Sequence, residues 1–129
     1  MLRNLFFCNV FATLGFAIQL ALLPDFFMSN LGWQQVSDEA KAVAFMWGAA
    51  IQTGMAATQY TISLATVTPH KALVAHGKVH TFWWTACGLA FYSQAPGELT
   101  AFSIANIAFM FGYGALYGYY SFVQPPKQD

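Results

Sequence analysis

Read from the first residue, the chain is apolar in long blocks separated by short polar punctuation. Charged side chains occupy ten positions, and the uncharged runs 4–24, 42–70, 79–97 and 99–126 between them hold 21, 29, 19 and 28 residues. Crossing the ~30 Å hydrocarbon layer takes about 20 helical residues, so each run is long enough or nearly so. Stretches such as Leu20–Leu23 and Ala105–Met110 lack the apolar–polar alternation of a membrane strand. Backbone groups in lipid must then be paired within their own segment, which requires helices. The pattern predicts an all-α integral membrane protein, one domain over 1–129. It is an antiparallel four-helix transmembrane bundle with helices at about 5–23, 40–67, 69–94 and 98–122.

The punctuation supports that division. Pro24-Asp25 stops the first helix, whose apolar stretch is longer than a signal-peptide core and closes without a small-x-small cleavage site, so it reads as a retained anchor. Asp25–Lys41 carries Phe26, Phe27, Met28, Leu31, Trp33 and Val36, too apolar for a free loop; a short segment lying in the membrane interface is expected there. Ser37-Asp38-Glu39 is a helix start, with serine as cap and acids at the positive end of the dipole. Thr68-Pro69 reads as a second start, threonine as cap and proline as first helical residue. Ala95-Pro96-Gly97 breaks the third helix, and Gln124-Pro125-Pro126 ends the fourth.

Composition narrows the class. Hydrophobic residues are 57% of the chain and charged ones 8%, where a soluble domain carries roughly 25% charged. A soluble enzyme is thereby excluded, as is a nucleic-acid binder, since there is no basic patch. With four spans, Arg3, Lys71, Lys78 and Lys127 share one side and Lys41 stands alone on the other. The positive-inside rule places both termini on the cytoplasmic, matrix or stromal side. Cys8 and Cys87 both fall within uncharged runs and read as small buried hydrophobes.

No acid, lysine or arginine falls at mid-membrane depth, where ion pathways and proton relays place one. The second span is polar in another way. Gln52, Gln59 and Thr66 recur every seven residues, and seven of the 26 residues from Ala42 to Val67 are Gln, Thr or Ser. A polar pore or ligand pocket is one reading. The preferred one is an inter-helix clasp to Gln19, Asn9 or Asn106 or to a partner protein, with this helix largely shielded from lipid. The fourth span has a stripe of small residues, Ala101, Ala105, Ala108, Gly112 and Ala115, and a second pair, Gly114 and Gly118. Ala50, Gly54 and Thr58 repeat the motif on the second span. Such residues let helices approach where lipid supplies no hydrophobic drive.

Aromatic residues reach 18%, and Trp47, Trp83, Trp84, Tyr113, Tyr117, Tyr119 and Tyr120 read as an interfacial belt. The histidines alone suggest chemistry. His70, His76 and His80 lie at one end of the third span, with His76 and His80 on one face. Single axial ligation of a haem or a chlorophyll magnesium needs only one of them, His80 before His76, with Gly77 giving a macrocycle room and Trp83 and Trp84 flanking it. The reading preferred is imidazole against lipid headgroups, with no metal site. Nucleophilic triads, phosphate loops and paired cysteines are absent from the sequence. The expectation is a non-catalytic accessory subunit of a larger membrane complex, photosynthetic or respiratory. Membrane lipids and other transmembrane subunits would be its partners, and a thylakoid or mitochondrial inner membrane its site. A pigment- or haem-binding protein, and a small carrier or enzyme for an apolar substrate held near Gln52 and Gln59, are the alternatives.

Overall fold

The computed structural model describes residues 1–64 and 66–124. Lys127 and the Pro125-Pro126 stop lie outside the described residues. Every regular element among those described is helical: α1 (Leu2–Leu22), α2 (Pro24–Asn30), α3 (Asp38–Met46), α4 (Thr53–Ser63), α5 (His70–Ser93) and α6 (Ala101–Gly118). A π-helical turn, Trp47–Gln52, joins α3 to α4 without a break, and a second, Tyr119–Val123, extends α6. The helices form four rods, α1, 38–63, α5 and 101–123. Two of them, Leu2–Leu22 with mean hydropathy 1.9 and Ala101–Val123 with 1.2, are long and apolar enough to cross a membrane.

Local chemistry explains the boundaries. Helix α1 ends at Leu22, two residues before the proline, and Pro24 opens α2 at a position where its missing N–H is no loss. Ser37 caps α3, its Oγ accepting from the Ala40 N–H at 3.2 Å. The Glu39 carboxyl is held below the usual carboxylate range, first by its own backbone N–H and then by Ser37.

Four expected boundaries are corrected. Helix α1 starts at Leu2, because nothing at Arg3 or Asn4 breaks it. The second rod ends at Ser63 and not near 67, since Leu64 turns extended at ψ 116°. Arg3 then takes up the freed carbonyls, its Nη1 donating to Leu64 O at 3.1 Å and its Nη2 to Thr68 O at 2.7 Å. Thr68 does not cap α5: its hydroxyl donates back to Thr61 O at 3.2 Å, and Pro69 is the capping residue, not the first helical one. Helix α6 starts at Ala101 and not Glu98, after a turn at Gly97 with φ +98°. Its cap is Thr100, whose Oγ1 accepts from Ser103 N at 3.0 Å and donates to Asn30 O at 2.6 Å.

Neighbouring rods run antiparallel. Thr13 meets Gln59, and Gly48 meets Ala17, Leu20 and Ala21, so α1 runs against 38–63. Gly77 meets Ser121, Thr85 meets Gly114 and Gly88 meets Phe111, so α5 runs against 101–123. Glycine permits these approaches. A Cβ on Gly48 would lie 2.7 Å from Ala17 O, and one on Gly77 would collide with the Ser121 hydroxyl. Leu2, Phe6, Phe16, Leu73, Trp84, Met110 and Tyr117 fill the centre, and much of the outer surface is apolar too, with Phe11, Ile18, Phe45, Phe82 and Leu89 exposed.

The π turn sets a register. In an α-helix, four residues overshoot one turn by about 40°. The wider turn holds Ala44, Gly48 and Gln52, four apart, all on the buried side, and Thr53 Oγ1 donates to Gly48 O at 3.1 Å, five residues back.

Candidate functional site

The two glutamines of the second rod have different fates. Gln59 is fully buried, and its Oε1 accepts from Thr13 Oγ1 at 2.9 Å. One turn closer to the N-terminus of α1, Asn9 Nδ2 donates to the Tyr117 hydroxyl at 3.1 Å. Together these bonds tie α1 to both 38–63 and α6. Of the partners the sequence suggested, Asn106 bonds instead to Phe102 O in its own helix. Thr13 and Tyr117 were the partners that sequence reasoning missed; a threonine and a tyrosine in an apolar run give no signal of their own.

Gln52 is only 6% exposed, yet its Oε1 has no partner. It lines a cavity of about 710 Å³ between the second rod and α5, bounded also by Phe16, Phe27, Trp47, Trp83, Trp84 and Met110. Trp47 and Trp83 stack within its wall, 6.0 Å apart and 10° from parallel. Buried Trp84, another lining residue, also has an unpartnered ring N–H.

The second rod is not shielded all round, as its polar content suggested. Ala50, Thr53, Thr58 and Thr61 are exposed. The threonines need no neighbour, because Thr58 Oγ1 donates to Gly54 O and Thr61 Oγ1 to Ala57 O within the helix. Two members of the expected aromatic belt are also core residues: Trp84 is 2% exposed and Tyr117 wholly buried. The cysteines do not read as buried either, since Cys8 is exposed and Cys87 intermediate.

His80 is 1% exposed. Its Nδ1 lies 2.9 Å from His76 O, and a carbonyl can only accept, so Nδ1 carries the hydrogen and Nε2 the lone pair. That tautomer suits a metal ligand. The space does not suit a macrocycle. Phe6 meets the imidazole edge-on at 4.8 Å and Tyr117 lies 5.1 Å away. The room expected at Gly77 is taken by Ser121 and Leu2. Trp83 is committed to Trp47, and Trp84 packs on Phe16, Phe109 and Tyr113. His76 is half-buried one turn away. Among the described residues, no group of three or more His, Cys, Asp or Glu could hold a metal ion.

The small residues also divide. Gly114 and Gly118 face α5, where Cβ atoms would lie 2.8 Å and 3.3 Å from Thr85 and Thr81. Gly54 and Gly112 face outward, with nothing within 4 Å of an added Cβ. Ala101, Ala105, Ala108 and Ala115 share that exposure with Gly112, as Ala50 and Thr58 do with Gly54. Compared with protein-family models, curated proteins and solved structures, the chain matches none.

Proposed function

We propose that the chain crosses a membrane four times and serves as a non-catalytic accessory subunit, docked through its outer faces to transmembrane helices of other chains. Each of the four rods overlaps one of the four uncharged runs, and the exposed apolar side chains around them suit lipid. Arg3 bonds the Leu64 and Thr68 carbonyls, and Lys71 and Lys78 are on the first half of α5, so three basic residues gather toward one end while Lys41 stands at the other. The positive-inside rule makes the Arg3 end cytoplasmic, matrix or stromal.

One observation carries the docking. The bundle closes on Gly48, Gly77 and Gly114, leaving Ala101, Ala105, Ala108, Gly112 and Ala115 on one rod and Ala50, Gly54 and Thr58 on another uncovered. Small residues favour close helix approach in lipid. A two-fold dimer would cover one self-complementary patch, whereas two rows on different rods suit a larger assembly. Energy-transducing complexes, photosynthetic or respiratory, are the class of assembly this reading favours, by analogy of size and composition.

Extraction in mild detergent followed by native electrophoresis and mass spectrometry tests the proposal. The chain should migrate with other transmembrane proteins, far above its own 14.2 kDa. Gly112→Leu or Gly54→Leu should release it while leaving its own unfolding temperature unchanged. A wild-type chain that runs only as a monomer or homodimer would overturn the proposal. The four-pass topology has a separate check: in a chain with Cys8 and Cys87 replaced, Lys71→Cys and Glu98→Cys must label from opposite membrane faces.

A further inference from the structure

The charges of the chain are sorted by end. Among the described residues, the carboxylates of Asp25, Asp38, Glu39 and Glu98 share one end of the bundle with Lys41, which makes both ion pairs. At the other end stand Arg3, Lys71 and Lys78, with no described acid beside them. Lys71 and Lys78 are seven residues apart on α5, so they share a face, about 10 Å apart along the axis. Ala75, Phe82 and Leu89 fall within about 40° of Lys71 around that helix, and all five residues are exposed. The face is thus cationic over its first two turns and apolar over the next ~16 Å. Beside it the last rod contributes the exposed ring of Phe122. Lys78 Nζ stands 5.1 Å from that ring's centroid, and Phe82 meets the same ring edge-on at 6.4 Å.

We propose that this face of α5 holds an acidic phospholipid, its anionic headgroup between Lys71 and Lys78 and its acyl chains along Phe82, Phe122 and Leu89. The inference rests on the four-pass reading and deepens it by naming a lipid class at one membrane surface. Two ammonium groups without a carboxylate attract anionic lipid at the bilayer surface. A phospholipid presents in one molecule the order that the face presents, an anion first and hydrocarbon after it. Charge separates the lipid classes. A choline or ethanolamine headgroup carries its own cation, which would meet two lysines and no described acid. The Phe122 ring fixes where the Lys78 ammonium stands, with the aliphatic stem along apolar surface and the charge toward the headgroups.

Native mass spectrometry of the full chain in mild detergent, titrated with phosphatidylglycerol and with phosphatidylcholine of the same chains, tests this. The first phosphatidylglycerol should bind at an at least about tenfold lower concentration than the first phosphatidylcholine. Lys71→Gln and Lys78→Gln should each cut that preference about fivefold, the scale of one basic residue at an anionic surface. Lys41→Gln, which removes the same charge at the other end, should leave it unchanged, and the double variant Lys71→Arg/Lys78→Arg should keep it. The parent chain alone supplies a further check, because raising ammonium acetate from 0.1 to 1 M shortens the screening length from about 10 to about 3 Å and should erode the preference. Equal binding of the two lipids, an equal loss from Lys41→Gln, or crosslinks placing an acidic segment of another protein against both lysines would each overturn the assignment. Cysteine labelling keeps the two readings apart. Opposite-face labelling without a lipid preference removes this inference alone, whereas same-face labelling removes the four-pass reading beneath it.

Discussion

At the end of the bundle that holds Leu2 and Ser121, polar and small residues close the structure. Asn9 pairs with Tyr117, Arg3 gathers two loop carbonyls, and Gly77 admits the side chain of Ser121. At the end that holds Phe27 and Gln94, the same rods leave a cavity lined by Gln52, Trp47, Trp83 and Trp84. Apolar content alone does not make the difference, since both ends are rich in aromatics. What differs is what faces the gap. Glycines meet a neighbouring rod at both ends, Gly77 at the closed one and Gly48 and Gly88 at the open one; the gap lies between the second rod and α5, where Trp47 and Trp83 stack.

Adding bulk breaks this comparison most severely. Gly77→Leu must place a whole side chain where Ser121 and Leu2 already are, and a loss of about 3 kcal/mol is expected, at the upper end of overpacking costs. Ala86→Phe adds more atoms at the open end, where the cavity receives them, and should change stability by less than about 0.5 kcal/mol. Thermal unfolding of both variants in one detergent checks the pair. Equal losses would mean that the cavity is not space the protein tolerates filling.

The glutamines sharpen the same contrast at smaller magnitude. Gln59→Leu removes the acceptor of the Thr13 hydroxyl and should cost roughly 0.6–2 kcal/mol, the range of interhelical hydrogen bonds in membranes. Gln52→Leu removes an amide oxygen with no partner, and in the unliganded protein should be neutral or stabilising. Unfolding midpoints for the two single variants decide this, and a larger loss at Gln52 would reverse the assignment of clasp and cavity.

That contrast was half legible in the sequence. Both glutamines stood out as polar amides in an uncharged run, and the structure pairs Gln59 Oε1 with Thr13 while leaving Gln52 Oε1 without a partner. Which glutamine took which role depended on the π turn. Nothing in Trp47-Gly-Ala-Ala-Ile-Gln52 announces a π turn; within it Gly48 packs closely on α1. The helix start at Ser37 was readable, but Thr68 was mistaken for a cap and the cap at Thr100 was missed. The end of the second rod was not readable, since Leu64 turns extended with no proline or glycine to mark it, and its carbonyl meets Arg3, 61 residues away. The glycines showed the same limit: spacing marked Gly54, Gly112, Gly114 and Gly118 alike, and only packing tells which pair meets its own bundle.

The smallest expected effect concerns how the open end is latched. Lys41 Nζ reaches Asp25 Oδ1 at 3.0 Å, joining the start of the second rod to α2, whose Phe27 and Met28 line the cavity. Asp38 stands at 3.9 Å on the same helix. The Asp25 side chain is 69% exposed, so water and salt screen the pair, and Asp25→Asn should lower the unfolding midpoint only slightly. Salt supplies the sharper measurement. At 1 M ionic strength, where screening acts within about 3 Å, the variant and the parent chain should converge. The pH dependence has a definite sign. Asp25 raises the Lys41 pKa, first through the hydrogen bond and then through its charge. The lysine's contribution is therefore fully present below the ordinary lysine pKa of ~10.4 and lost only as pH rises through the raised value. Between pH 7 and 9 the lysine side of the latch should give a flat difference between Asp25→Asn and the parent. A difference that changed steeply across that window would mean that some group other than Lys41 holds α2 over the cavity.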